Sequence, residues 1–256
     1  MNFLSSHAAR AAAFFDIDGT LLPAPSLESR FIAYLLAHDD VGIPQIAVWL
    51  ARFLKQSLYR LRYALQENKS YLRGLPESLA ATWQRSLAWG NIALEGAHPD
   101  LCFFTEALDQ MEWHAARRHK IFLVSGTLAP LARIIALQLS ARFHVAIEVC
   151  ATELDTHDGV WTGNLAGPHV SGTQKALAVE TLAAQHGLSL ADSYAYADTF
   201  SDRAILETIG HPVAVNPSRR LARHATQRGW PMVHWHSTNP ACQRVLSAPI
   251  HFEEAR

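Results

Sequence analysis

Two aspartates one residue apart follow a short apolar run near the beginning of the chain. Residues 14–22 read FFDIDGTLL, so Asp16 and Asp18 come directly after a predicted strand. Because side chains alternate along a strand, residues two apart point the same way, and both carboxylates can reach one small volume. Two like charges held that close need a cation between them or a shared proton. An Asx-type turn after the strand explains the same pattern equally well, so the rest of the chain must decide.

Three more groups of polar residues lie at predicted strand or helix ends. The SGT run at 125–127 follows a strand, Lys175 lies near the start of a helix, and ADTFSD places Asp198 and Asp202 after the strand 194–197. Each has an ordinary explanation alone, as an N-cap, a solvated lysine or acids in a first helical turn. Hydroxyl and N–H groups at a helix N-terminus also bind anions. In a parallel α/β sheet ligands bind at the carboxyl ends of the strands, so we expect all these groups on one rim.

The elements that must position these groups alternate between strands and helices. Such alternation predicts βαβ units and an α/β fold with a parallel sheet. We predict strands at 11–15, 121–124, 145–150, 194–197, 213–215 and 232–235. We predict helices at 100–118, 130–140, 174–186 and 217–228. Asp158-Gly159 between extended flanks predicts a hairpin.

Residues 23–98 differ from the rest because their apolar spacing is helical almost throughout. Pro44 fits the first turn of a long helix. Its leucines recur at helical spacing and predict one buried face, formed by Leu50, Leu54, Leu58, Leu61 and Leu65. Arg52, Lys55 and Arg62 share the opposite face. That basic face is either solvated surface or a contact for an acidic lipid headgroup or a second anionic group.

Composition limits the remaining classes of function. The 256 residues are 49% hydrophobic and 18% charged with a net charge of -1, which predicts a compact globular protein with no general attraction to nucleic acid. Cys102, Cys150 and Cys242 lack the spacing of a disulfide framework or a zinc site, so we expect a reducing cytoplasm. No apolar run approaches the roughly 20 residues of a spanning helix. We therefore expect a soluble, unprocessed chain.

As a set, the four groups resemble the motifs of the haloacid dehalogenase superfamily. They stand here as DIDGT, SGT, Lys175 and DTFSD, in the order of that family. The chain is most similar to the phosphoserine-phosphatase-like branch, subfamily IB, and the resemblance covers residues 14–235. It implies a Rossmann-like parallel sheet core with an inserted helical, C1-type cap. The implied boundaries are 1–22 and 97–256 for the core and 23–96 for the cap.

The resemblance also implies a reaction. Asp16 would be the nucleophile that attacks a phosphate monoester, and Asp18 the general acid and base. Lys175 would neutralise charge in the same site. The phosphoryl oxygens would be held by three further residues, Ser125, Gly126 and Thr20. The second aspartate favours phosphoryl transfer over dehalogenation, because a dehalogenase has no leaving alkoxide to protonate.

The cofactor implied by the resemblance is Mg²⁺. Its ligands would be the carboxylates of Asp16 and Asp198 and the backbone carbonyl of Asp18. Asp202 would support this metal shell or Lys175. Carboxylate and carbonyl oxygens are the ligands that Mg²⁺ prefers.

The residues after the first motif bear on the substrate. Phosphoserine phosphatases usually carry a glutamate there that meets the substrate ammonium, whereas PAPSLE places Pro25 at that position and Glu28 three residues later. Glu28 and Ser26 are therefore candidates for substrate contact, and each is equally explained as part of a helix start. We expect a small phosphorylated metabolite of the amino acid or amino alcohol type. A lipid phosphate bound at the basic helix, transfer to another acceptor, and a non-catalytic phospho-ligand-binding relative remain the alternatives.

Overall fold

The computed structural model describes residues 11–87 and 101–236, with the backbone alone for 56–66. Its main feature is a six-stranded sheet in the order β3-β2-β1-β6-β7-β8, in which every pairing of neighbours is parallel. The strands are β1 Ala12–Phe15, β2 Lys120–Leu128, β3 Ile147–Thr152, β6 Tyr194–Ala197, β7 His211–Val215 and β8 Met232–Val233. A hairpin of β4 Leu154–His157 and β5 Val160–Leu165 stands apart from this sheet. The predicted α/β class is confirmed.

β1 lies inside the sheet and is buried on both faces. Phe14 stacks on Phe122 of β2 on one face, and Phe15 stacks on Tyr196 of β6 on the other. These pairs belong to separate hydrophobic clusters, one on each side of the sheet. A parallel strand covered by helices on both faces is apolar along its whole length, which is why AAFF reads as a continuous run. The residues that follow β1 therefore lie near the middle of the carboxyl edge of the sheet.

One group of helices covers this sheet, and a second group forms the segment that follows β1. The helices of that segment are α1 Leu27–Ala37, α2 Ile43–Glu67 and α3 Ser78–Ser86, with a 3-10 turn at Ser70–Leu72. Those around the sheet are α4 Thr105–Ala116, α5 Ala129–Phe143, α6 Thr173–His186, α7 Arg203–Thr208 and α8 Arg219–Arg228. The predicted elements occur in the predicted order, with ends that differ by a few residues. Pro44 is in the first turn of α2 as expected.

The predicted burial of the leucine row on α2 is wrong for the side chains that the structure describes. Leu50 is 47% exposed and Leu54 is 57% exposed. The helix instead turns Trp49 inward, against the main hydrophobic cluster. Helical spacing identifies which residues share a face, but it does not identify which face meets the rest of the protein. The remaining leucines of the row, at 58, 61 and 65, have side chains outside the described part of the chain.

The β4–β5 hairpin joins the sheet region to the segment after β1. The predicted turn is confirmed, with Asp158 at φ 53° and Gly159 at φ 74°. The Gly74 N–H donates to the Trp161 carbonyl at 2.9 Å, and the Trp161 N–H donates to the Leu75 carbonyl at 2.9 Å. The Trp161 ring is buried edge-on against Phe31 of α1. This docking was not predicted, because nothing local in either segment specifies its partner.

The cysteines and the helices bear on the expected cellular setting. Cys102 is disulfide-bonded, whereas Cys150 is a free thiol. The sequence predicted that the cysteines form no disulfide framework, and one bonded cysteine does not contradict that prediction. Among the described residues, no helix combines the length and apolar character needed to cross a membrane.

Replacing the buried tryptophan should loosen the hairpin from the helical segment. We expect Trp161→Ala to lower the free energy of unfolding by about 3–5 kcal/mol, because a large apolar side chain is lost from a packed site. Urea unfolding measures this difference. The control Leu177→Ala removes an exposed side chain and should change the free energy by less than about 0.5 kcal/mol. Equal effects of the two substitutions would contradict the packing described above.

Candidate active site

The predicted site residues converge at the carboxyl end of the sheet. With the exception of Thr20, all of them line one pocket of about 400 Å³. A larger cavity of about 750 Å³ lies beside β6, β7 and β8. Among the described residues, however, the group of acidic side chains able to hold a metal lies at the smaller pocket. The chemistry therefore belongs to the smaller pocket.

Asp16 is held where the central strand ends. Its N–H donates to the Tyr196 carbonyl of β6 at 3.0 Å, so the backbone is still tied to the sheet at this residue. Its buried carboxylate accepts a hydrogen bond from Lys175 Nζ at 2.7 Å. Burial raises the pKa of Asp16, and the ammonium of Lys175 opposes that shift. At this distance we assign the pair as carboxylate and ammonium.

Asp18 faces the same pocket from the next turn. Its Oδ1 accepts a hydrogen bond from the Leu27 N–H at 2.6 Å, which ties the carboxylate to the start of α1. Burial first, and the charge of Asp16 second, raise the pKa of Asp18 to about 6. A carboxyl group with a pKa near neutrality can both give and accept a proton, as a general acid and base must. The predicted convergence of the two aspartates is confirmed.

Lys175 connects two of the carboxylates. Its Nζ lies 2.7 Å from Asp16 Oδ1 and 3.1 Å from Asp202 Oδ1, and the side chain is buried. Burial alone would lower the pKa of Lys175, but the two carboxylates outweigh it and raise the pKa above its ordinary value. The ammonium is therefore charged. Its position near the start of α6 is the predicted one, and its contact with Asp202 agrees with the predicted support of Lys175.

The aspartates form a group suited to a hard cation. Carboxylate oxygens of Asp16, Asp198 and Asp202 lie within 4.8 Å of one another. Asp198 Oδ1 is buried and has no hydrogen-bond partner among the described residues. Burial, followed by the charges of Asp16 and Asp202, raises the pKa of Asp198 to about 8. Such a rise is expected where carboxylates outnumber nearby cations, and a divalent ion would reverse it. An all-oxygen donor set with an unsatisfied member fits Mg²⁺.

Gly19 makes room for this acidic group. Its φ is +84°, a conformation that side chains rarely adopt. A Cβ at this position would lie 2.2 Å from Asp198 Oδ2. The glycine of the DIDGT motif is thus required both by the backbone and by the close approach of Asp198. The sequence interpretation gave Gly19 no role of its own.

The SGT run differs from its predicted setting. It belongs to the end of β2, which continues to Leu128, and α5 begins only at Ala129. The pairing of β2 with β3 shifts register between Ser125 and Leu128. The expected helix N-terminus is therefore replaced by an irregular strand end, with Ser125 and Gly126 against the pocket. Strand and helix meet here without a loop, which the apolar pattern could not reveal.

Thr20 does not reach the pocket. Its side chain is fully buried, and its Oγ1 has no hydrogen-bond partner among the described residues. Residues 19–22 turn back on β1, with the N–H groups of Leu21 and Leu22 both donating to the Ile17 carbonyl. The prediction that Thr20 binds phosphate is therefore not supported by its position.

Glu28 enters the pocket as half of an ion pair. Its Oε1 and Oε2 lie 2.6 and 2.7 Å from Lys69 Nζ. The Tyr71 hydroxyl donates to Glu28 Oε1 at 2.6 Å. Ser26 also lines the pocket, but its Oγ accepts a hydrogen bond from the Ser29 N–H and so acts as the N-cap of α1. The N-cap interpretation of Ser26 is confirmed, and its contact with a substrate stays a prediction.

Lys69 and His169 are among the pocket residues that the sequence interpretation missed. Lys69 is buried at the pocket wall, although it lies 41 positions from Glu28. His169 covers Gly126 so closely that a Cβ there would lie 2.9 Å from His169 Cε1. Burial, reinforced by Lys69, lowers the pKa of His169 to about 4, so the imidazole is neutral. Neither residue belongs to a recognisable motif, and only the fold brings them to the site.

Comparison with known proteins agrees with this geometry. The family model for haloacid dehalogenase-like hydrolases matches residues 13–207. A probable phosphatase of Mycobacterium tuberculosis is 29% identical over 231 residues, or 88% of this chain and 75% of that protein. A phosphoserine phosphatase of that organism, SerB1, is 30% identical over 229 residues, or 86% and 69% of the two chains. A solved structure of a protein of unknown function from Bordetella pertussis has a TM-score of 0.67 and 27% identity, covering 88% of this chain and 98% of that one.

A methyl group at residue 19 should disrupt the acidic group. We expect Gly19→Ala to weaken Mg²⁺ binding by about 10–100-fold, because Asp198 must move away from the added Cβ. Isothermal titration calorimetry measures the affinity. Gly159→Ala is the matched control, since Gly159 also has a positive φ but no atom within 4 Å of where its Cβ would be. Unchanged affinity in Gly19→Ala would show that Asp198 does not bind the ion.

Proposed function

The chain belongs to the haloacid dehalogenase-like hydrolases, and we propose that it is a Mg²⁺-dependent phosphatase that hydrolyses a phosphate monoester through an aspartyl phosphate. Its phosphatase relatives support this class of reaction. The observation that carries the proposal is the convergence of Asp16, Asp18, Lys175 and Asp198 on one pocket. Each step of the reaction can be given to one of these side chains.

Asp16 is the proposed nucleophile. Its carboxylate oxygen attacks phosphorus while the bond to the ester oxygen breaks, and Asp18 gives its proton to that leaving oxygen. Asp18, now a carboxylate, then takes a proton from water as the water oxygen attacks phosphorus. The bond between phosphorus and Asp16 breaks, which releases phosphate and restores both aspartates. The hydrogen bond from Leu27 holds Oδ1 of Asp18, so Oδ2 is the oxygen available for proton transfer.

The cation would be held by the carboxylates of Asp16 and Asp198 together with the backbone carbonyl of Asp18. When bound, Mg²⁺ neutralises the nucleophile and the phosphate so that one anion can approach another. Asp202 keeps Lys175 in place through the contact at 3.1 Å. Ser125, the Gly126 N–H and Lys175 would stabilise the phosphoryl oxygens. Thr20 has no part in this assignment because it lies outside the pocket.

The ion pair of Glu28 and Lys69 supports an amino acid or amino alcohol phosphate as the substrate. Both residues line the same small pocket as Asp16. A substrate ammonium can replace Lys69 beside Glu28, and a substrate carboxylate can replace Glu28 beside Lys69. Buried charges need partners, so a ligand that carries both charges satisfies both residues at once. We therefore propose residues 23–96 as a cap that selects the substrate.

The alternatives differ in what they leave unexplained. A non-catalytic binding relative does not account for a second aspartate that lines the pocket beside Asp16 and is held there by the Leu27 N–H. Transfer to another acceptor uses the same first step, and product analysis distinguishes it from hydrolysis. A lipid phosphate would use the same phosphoryl pocket. The cytoplasmic location stays a prediction.

Replacing Asp16 and replacing Asp18 should stop the reaction at two different steps. We expect Asp18→Asn to lower kcat by roughly 10²–10⁴-fold through loss of acid and base catalysis. Asp16→Asn should lose at least as much and should also fail to take up phosphate from substrate. Phosphate release from an aryl phosphate with Mg²⁺, and its loss with EDTA, are measured together. Asp158→Asn, an exposed control on the hairpin, should keep full activity. Undiminished release by Asp16→Asn would refute the mechanism.

Substrate selection should depend on the ion pair. Because removing one partner leaves a buried charge alone, the test uses the double variant Glu28→Gln/Lys69→Met. We expect its kcat/KM for phosphorylated amino acids to fall by roughly 10–100-fold, because the charged hydrogen bonds to the substrate ammonium and carboxylate are lost. Its kcat/KM for an aryl phosphate should change by less than about threefold. An equal fall for both substrates would contradict a role in selection while leaving the phosphatase assignment intact.

A further inference from the structure

His169 lies over the end of β2 that is proposed to bind phosphate, although the proposed reaction steps give it no part. The residue belongs to the loop between β5 and α6 and lines the same pocket as Asp16. A Cβ on Gly126 would lie 2.9 Å from His169 Cε1 and 3.5 Å from His169 Nε2. The ring edge that carries Nε2 therefore faces Gly126, one of the residues assigned to the phosphoryl oxygens.

The position of His169 is fixed by the buried hydroxyl of Thr152 at the end of β3. Thr152 Oγ1 donates to the Gly126 carbonyl at 2.9 Å and accepts a hydrogen bond from the Val170 N–H at 3.2 Å. The Ser171 N–H donates to the His169 carbonyl at 2.9 Å, which closes a tight turn. The loop is thus tied to the same backbone that the ring covers. A side chain placed in this way before a ligand binds loses little freedom on binding.

The two ring nitrogens of His169 have different surroundings. Nδ1 is buried and has no hydrogen-bond partner among the described residues. The imidazole is neutral because burial and the charge of Lys69 lower its pKa to about 4, so one nitrogen carries a proton and the other is bare. An N–H group buried without an acceptor is rare, which favours Nδ1 as the bare nitrogen. We therefore assign the proton to Nε2, on the edge that faces Gly126.

The proton on Nε2 gains a stronger acceptor when a phosphate ester binds. Within the protein, the Gly126 carbonyl favours a proton on the imidazole, and this carbonyl also accepts the Thr152 hydroxyl. A phosphoryl oxygen is charged and forms shorter and stronger hydrogen bonds than a neutral carbonyl. A phosphoryl group held at Ser125 and Gly126 is therefore the preferred partner of His169.

We propose that His169 binds the substrate by donating a hydrogen bond from Nε2 to a phosphoryl oxygen. This inference rests on the proposed phosphatase function and adds one residue to its phosphate-binding set. Lys69 and Lys175 already place positive charge near the ring, so a neutral imidazole adds a directed contact without further like charge. Because the contact is with the phosphoryl group and not with the leaving group, it should serve different phosphate esters equally.

Steady-state kinetics of three variants test the proposal, with an aryl phosphate and a phosphorylated amino acid as substrates. His169→Phe keeps a ring but has no N–H. The amide nitrogen of His169→Gln reaches about as far as Nε2, whereas that of His169→Asn reaches only as far as Nδ1. We expect His169→Phe and His169→Asn to lower kcat/KM roughly 10–100-fold for both substrates, because a hydrogen bond to a charged oxygen is lost. His169→Gln should stay within about threefold of the unsubstituted protein.

Orthophosphate binding in the presence of Mg²⁺ gives a second readout that does not require turnover. Isothermal titration calorimetry should show the same order of affinities as the kinetics. The control His157→Phe changes a histidine whose side chain is 82% exposed on the hairpin, and it should alter neither readout. Failure of the unsubstituted protein to hydrolyse any ester would refute the proposed function, whereas the phosphate affinities would still decide the role of His169.

Full activity and full phosphate affinity of His169→Phe would overturn the inference. An equal loss in His169→Gln and His169→Phe would also overturn it, because the donor at the Nε2 position would then have no effect. A loss confined to the phosphorylated amino acid would place His169 beside the ion pair of Glu28 and Lys69 and would contradict a phosphoryl contact. If urea unfolding shows that His169→Phe does not fold, the comparison of His169→Gln with His169→Asn decides.

Discussion

The site is organised by three clustered carboxylates, two of which share one ammonium. Asp16, Asp198 and Asp202 have oxygens within 4.8 Å of one another, and Lys175 contacts the first and the last. In a medium of low dielectric such a group is unfavourable unless further positive charge balances it. The fold must therefore hold the carboxylates rigidly and leave space for a cation. β1 between two parallel neighbours supplies the rigidity, and the lack of a side chain at Gly19 supplies part of the space.

The parts of this arrangement that follow from local sequence could be predicted. A buried parallel strand is apolar throughout, so the polar residues that end it are conspicuous, and the rule that parallel strands end at one edge brings them together. Asp16, Asp18 and Asp198 were found in this way, and Lys175 was found from its place near the start of a helix. Thr20 was misplaced because the turn after Asp18 folds back toward β1. Lys69 and His169 could not be found, since their positions depend on packing between segments far apart in sequence.

The helical segment and the catalytic chemistry are mechanically connected. The Asp18 carboxylate accepts a hydrogen bond from Leu27 at the start of α1, so the direction of the proposed acid depends on where that helix lies. At the far side the hairpin is hydrogen-bonded to Gly74 and Leu75 around the buried Trp161. If the helical segment moved as a unit, these hydrogen bonds would break, or the groups bonded to it would have to move with it. Substrate entry and orientation of Asp18 are consequently linked through α1.

Charge pairing governs the inner face of the helical segment. On the inner face, Glu28 and Lys69 neutralise each other at the pocket wall, so neither charge is left isolated before a substrate binds. Under the proposed selection of substrate, a ligand that carries both an ammonium and a carboxylate would replace both partners at once.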